Sequence, residues 1–191
     1  MKQDLFLEKS EILKNYLSDT IENNLIELNR ASELFCSTLA SKNTIFWCGN
    51  GGSASESSHL ATELIGRFKE NRIPLPSVSL NADTTAITCI ANDFGYDEIY
   101  ARQIQGLSKQ GDLLIVLSTS GKSVNILRAL EQAKQSGVTT IALLGKGGGP
   151  CMEVADISIV VPGSETARIQ AVHLLIGHTL CELAAMKLGY K

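Results

Sequence analysis

The first forty residues carry apolar side chains at helical spacing. Leu5, Leu7, Ile12, Leu13, Tyr16, Leu17 and Ile21 are followed by Leu25, Ile26, Leu28, Leu34 and Phe35. Neither glycine nor proline interrupts the chain before Gly49. The pattern predicts one or two long helices over residues 5–40. They precede every strand and so cannot be crossovers within a sheet. They are expected to cap the rest of the chain or to pack on another copy of it.

From residue 44 the pattern changes. Short runs rich in Ile, Val and Leu, without clean polar alternation, predict strands at 44–48, 77–80, 113–118, 139–144 and 157–161. Strands covered on both faces read this way. The stretches between them predict helices at about 54–69, 83–92, 97–107 and 123–136, with a last helix at about 166–187. Strand–helix repetition defines an α/β fold, a three-layer, doubly wound parallel five-stranded sheet with right-handed crossovers. A chain of 191 residues suits one domain: an N-terminal helical segment over 1–42 and a sheet-containing core over 43–191.

Composition narrows the function classes. Aromatic residues make up only 5%, so the core must be aliphatic. The net charge of −3 gives no basic face for a broad nucleic-acid surface. The five cysteines (Cys36, Cys48, Cys89, Cys151, Cys181) are odd in number and lack CxxC spacing. They are expected to be reduced thiols, several of them buried. The charged N-terminus lacks the apolar run of a signal peptide, and no run approaches the ~18 apolar residues of a membrane helix. A cytoplasmic protein with no membrane or nucleic-acid partner is expected.

In a doubly wound sheet ligands bind beyond the carboxyl ends of the strands, and two strands end there in small polar loops. After 113–118 comes Ser118-Thr119-Ser120-Gly121-Lys122-Ser123. Hydroxyls, a glycine and free N–H groups at a helix start suit a phosphate monoester, although Ser and Thr also serve as ordinary helix caps. GxxxxGK[ST] is absent, so nothing implies a nucleoside triphosphate. After 44–48 comes Gly49-Asn50-Gly51-Gly52-Ser53. Consecutive glycines allow close backbone approach to a ligand, or simply a tight turn, and the GxGxxG dinucleotide fingerprint does not fit.

The acid–base candidates lie on helices. His59 and Glu63 are spaced i, i+4, on one face of the helix that follows the glycine loop, where they could share a metal ion or a substrate, or form a plain surface pair. The apolar last helix carries Arg168, Gln170, His173 and His178. Buried polar groups need partners, and His173 reads as a hydrogen-bonded core histidine. Gln170 and His178 stand eight residues apart, roughly 12 Å along a straight helix. Reaching one metal ion from both requires a bend or a second chain, and the second chain is preferred.

Taken together, these segments resemble a sugar isomerase (SIS) domain of the phosphoheptose isomerase type over essentially the full length. The matching motifs are GNGGS at 49–53, HLATE at 59–63, GRF at 66–68, AND at 91–93 with FGY, STSGKS at 118–123, and RIQxxH through His178. The resemblance implies an aldose–ketose isomerase that converts sedoheptulose 7-phosphate to D-glycero-D-manno-heptose 7-phosphate through an enediol. That reaction opens bacterial ADP- or GDP-heptose synthesis for lipopolysaccharide, capsule or another glycan. It implies substrate contacts from Asn50, Gly51, Gly52, Ser53, Glu63, Asn92, Asp93, Ser118, Thr119, Ser120, Ser123 and Gln170. Zinc, one ion per subunit, would fall on His59, Glu63, Gln170 and His178. Glu63 would be the base and His178 the acid. A homotetramer with sites at subunit interfaces is implied as well.

The chain departs from the family pattern at Lys122, where Asn is usual, at Glu56, where Asp is common, and at Ala171, where Glu is frequent. None of these removes a catalytic group. The rival reading is a non-catalytic SIS protein, either of the type that associates with the replication initiator DnaA or a sugar-phosphate sensor. The DnaA-associating relative lacks the acid–base pair, whereas Glu63 and His178 are both present here. A metal hydrolase fits poorly, because the serine loop has no readable His–Asp partner.

Overall fold

The computed structural model describes residues 2–190. Two helices open the chain, α1 (Lys2–Asn23) and α2 (Leu25–Ala40), followed by β1 (Ile45–Gly49), α3 (Gly52–Ile65), β2 (Ser77–Ser79) and α4 (Thr84–Phe94). A 3-10 turn (Tyr96–Glu98) leads to α5 (Ala101–Leu107), β3 (Leu113–Ser118), α6 (Val124–Gln135) and β4 (Thr139–Gly145). The chain continues through the short α7 (Cys151–Val154), β5 (Ile157–Val161) and α8 (Thr166–Lys187). All strand pairings are parallel, in the order β2-β1-β3-β4-β5. The sheet therefore reverses its winding between β1 and β3, and a crevice opens at their carboxyl ends.

The unbroken apolar runs in the strands have a direct cause. Successive strand residues point to opposite faces, and here both faces are covered. Ile45, Trp47, Leu113, Ile115, Leu117, Ile141 and Leu143 face one core, beneath α2, α3 and α8. Phe46, Cys48, Leu114, Val116, Ala142 and Leu144 face the other, beneath α5 and α6. Four cysteines are buried, Cys89 is exposed, and all five are free thiols.

The N-terminal helical segment is two helices because it breaks at Asn24. The Asn24 amide donates to the Val160 carbonyl (3.2 Å), and its Oδ1 accepts from the Val160 N–H (3.0 Å). The side chain thus stands in for a neighbouring strand on the free edge of β5. The third helix stops at Ile65, short of residue 69. Gly66 ends it, and Arg72 folds back to donate to the carbonyls of Glu63 (2.6 Å) and Leu64 (2.8 Å). These last-turn carbonyls have no helical partner of their own.

One expectation needs correction. An 18-residue window of α8 does reach the hydropathy and length of a membrane span. The helix packs on α1, α2, α3 and β4, with Ile169, Val172, Ile176 and Leu180 in the core, while Leu175 and Met186 stay exposed. The helix is apolar because it lies between the sheet and the N-terminal pair.

Candidate active site

Three helix N-termini meet at the crevice: α3 after the glycine loop, α6 after the serine loop, and α8. A pocket of about 270 Å³ lies between them, lined by Asn50, Gly52, Ser53, Ser118, Thr119, Ser120, Ser123, Thr166 and Gln170. Converging N-termini aim partial positive charge and free N–H groups into one space, which favours an anion. The Ser118 hydroxyl is engaged within its own loop, accepting from the Gly121 N–H at 3.1 Å. Gly121 is required there: its φ is +61°, and a Cβ would overlap the Gly148 carbonyl oxygen. Gly52 likewise leaves room for the Gln170 amide, which donates to the Ser53 hydroxyl at 3.3 Å.

Asn50 is fixed by a network of polar groups. Its amide pairs reciprocally with that of Asn125, at 2.8 and 2.9 Å. Tyr96 also donates to Asn50 Oδ1 (3.3 Å), and Tyr100, in turn, donates to the Gly49 carbonyl (2.6 Å). Asn81 completes the set, donating to Tyr100 Oη at 2.7 Å. Asn125 is 2% exposed, so its amide has few alternatives. Asn81, Tyr96, Tyr100 and Asn125 were not legible in the sequence, because each lies 19 or more positions from its partner.

A second cluster lies further along α8. His59 and Glu63 face the same way, with Nε2 and Oε1 3.3 Å apart, and His178 brings its Nε2 to 2.8 Å from that of His59. The Phe68 ring stacks on the His178 imidazole at 5.6 Å. Burial holds the His178 pKa below its ordinary value, helped by the neighbouring His59, while Glu63 acts in the opposite direction. Gly177 permits the close approach of α3 and α8, since a Cβ there would run into the buried Leu60 side chain.

His59, Glu63 and His178 form a donor set of the kind that holds a metal ion. One ligand atom from each of His59, Glu63 and His178 lies within 4.8 Å of the others. Tetrahedral zinc with bonds of about 2.0–2.1 Å sets ligand atoms roughly 3.3 Å apart. Two imidazoles and a carboxylate suit that ion: the His59–Glu63 separation of 3.3 Å already matches, and the 2.8 Å between the imidazoles would open slightly around it, so the residues fit. Gln170 lies two turns away on the unbroken α8, against Ser53. Asn92 and Asp93 are exposed on α4, hydrogen-bonded to each other at 2.8 Å, and Gly51 caps α3. None of these three lines the pocket.

Two other polar groups are withdrawn from solvent beside the site, Glu56 in part and His173 fully. The Glu56 carboxyl is pushed up to about 7 by burial, partly offset by a hydrogen bond from Ser53. His173 is fully buried, with Nε2 donating to the Leu144 carbonyl at 2.9 Å. Burial lowers its pKa to about 4. It is a core histidine, as its setting in the sequence suggests.

A doubly wound sheet with a serine pocket at its switch point defines a class, and comparison with known proteins agrees: the SIS domain family model matches residues 10–145. A phosphoheptose isomerase of Nitratiruptor sp. is 51% identical over 153 residues, covering 80% of this chain and 82% of that protein. One of Aliarcobacter butzleri is 44% identical over 188 residues, covering 95% and 100%. The solved phosphoheptose isomerase GmhA of Neisseria gonorrhoeae superposes with a TM-score of 0.90 at 32% identity, covering 97% of this chain and 100% of that one. The chain belongs to the phosphoheptose isomerase family of SIS-domain proteins.

Proposed function

We propose that the protein isomerises sedoheptulose 7-phosphate to D-glycero-D-manno-heptose 7-phosphate. The observation that carries this reading is a neutral, hydroxyl-rich anion pocket between α3 and α8, the two helices that also carry the Glu63 carboxylate and the His178 imidazole. The pocket holds the phosphate through Ser53, Ser118, Thr119, Ser120 and Ser123, which fixes the reacting end of the sugar. Glu63 takes the proton from the carbon beside the carbonyl and returns it to the neighbouring carbon. His178 gives a proton to the carbonyl oxygen and recovers one from the adjacent hydroxyl. Phe68 keeps the His178 ring oriented, and Asn50, held by Asn125, contacts the sugar hydroxyls together with the Gly51–Gly52 backbone.

His59, Glu63 and His178 would hold one zinc ion. When bound, zinc supplies Lewis-acid polarisation of the substrate's oxygens. Gln170 would reach that ion only from a neighbouring subunit, given its place on α8.

A homotetramer with sites at subunit boundaries is part of this reading. It is supported by α4, which buries no residue within its own chain and leaves Phe94 52% exposed. Asn92 and Asp93 would meet substrate across that boundary. Residues 1–42 form the oligomerisation segment, supported by exposed Leu25 and Ile26 beside an apolar groove between α1, α2 and α8. The whole chain would act as one cytoplasmic SIS domain feeding heptose to lipopolysaccharide, capsule or another surface glycan.

The test is to incubate the protein with sedoheptulose 7-phosphate and look for the aldose. Product formation supports the isomerase. Binding without product would indicate a sugar-phosphate sensor.

A further inference from the structure

The pocket walls offer hydroxyls, amides and glycine but no formal charge. A phosphate monoester brings about −1.5 to −2. Lys122 of the serine loop is exposed, and a second cation is held at the rim. Lys146 follows β4 directly and donates from Nζ to Thr166 Oγ1 at 2.8 Å, and Thr166 itself lines the pocket. Among the described residues no carboxylate pairs with Lys146.

The backbone places this lysine deliberately. Its φ is +49°, a left-handed conformation that a residue with a Cβ adopts at some cost in strain. The preceding Gly145 is wedged between the two pocket walls: a Cβ there would press on Ile169 of α8 and stand 3.0 Å from the Thr119 carbonyl. The Lys146 Cα is thereby set between the serine loop and the start of α8, within reach of the space they enclose.

We propose that Lys146 is the cationic binding residue of the phosphate subsite, its ammonium passing from the Thr166 hydroxyl to the phosphate of the bound sugar. This rests on the reading that places the sugar phosphate in the serine pocket. Flexible and solvent-facing, the ammonium adds affinity for the dianion and leaves proton transfer at the far end of the sugar to Glu63 and His178.

The test compares Lys146→Met and Lys146→Arg with the wild type. Inorganic phosphate is titrated by calorimetry, and KM and kcat are measured for sedoheptulose 7-phosphate. The Met variant should bind phosphate about 10-fold more weakly and raise KM by a similar factor, with the larger change in KM rather than kcat. The Arg variant should recover most of the loss. Unchanged phosphate affinity in a normally folded Met variant overturns the proposal. So does an equal loss in the Arg variant, or a wild type that binds no phosphate. The titration needs no turnover, so a charge-dependent loss of phosphate binding in a protein that does not isomerise the heptulose upholds Lys146 while refuting the isomerase reading.

Discussion

The imidazoles of His59 and His178 meet with their Nε2 atoms 2.8 Å apart across 119 positions of sequence. Two ring nitrogens brought this close, with the Glu63 carboxylate alongside, make a donor set for a shared cation. Zinc should therefore raise the melting temperature of the wild type. At a hundred times Kd the stabilisation is about 2.7 kcal/mol. His59→Ala should abolish most of that shift, which calorimetric melts with and without zinc would reveal. An undiminished shift would place the ion elsewhere.

The same meeting depends on Gly177. Val at this position would drive α8 away from Leu60, which is fully buried and has little room to move. Overpacking of this kind typically costs about 1–3 kcal/mol. Gly177→Val should lose zinc affinity as well as stability, so urea melts and a zinc titration would both register the change. Retained zinc affinity would show that the helix spacing does not set the cluster.

These elements differ in how far the sequence reveals them. The strands at 113–118 and 157–161 and the helix at 166–187 match their observed bounds, because apolar runs and helical periodicity are local signals. The i, i+4 relation of His59 and Glu63 was equally plain. The break at Asn24 and the end of α3 at Ile65 were not. Both depend on distant partners, the β5 edge in one case and Arg72 in the other. The reciprocal Asn50–Asn125 pair was hidden for the same reason, and α7, with four residues, is too short to show a period.

Asn125→Ala leaves the Asn50 amide without its reciprocal partner. The expected effect is a loss of about 1–3 kcal/mol in stability, the range for unsatisfying a buried polar group, together with reduced kcat/KM. Urea unfolding and steady-state kinetics would measure these. Unaltered kinetics would mean that Asn50 needs no fixed orientation.

His173 should make folding acid-sensitive. Its pKa is about 4 in the fold against an ordinary 6.5. Between those values the unfolded chain binds a proton that the folded chain does not. Stability from this group is thus full above pH 6.5 and declines as pH falls toward 4. The decline amounts to about 2 kcal/mol between pH 7 and pH 5. His173→Gln should flatten that part of the profile in urea melts across this range, and an unchanged slope would assign the acid sensitivity to other groups.

If Glu63 moves the proton, kcat for sedoheptulose 7-phosphate must depend on its carboxylate, which wild type and Glu63→Gln, each confirmed as folded, would show. The amide keeps the shape of the side chain and removes the base. A fall of at least ~10²-fold in kcat is the predicted result. A variant that turns over at near wild-type rate would contradict the account and require another base.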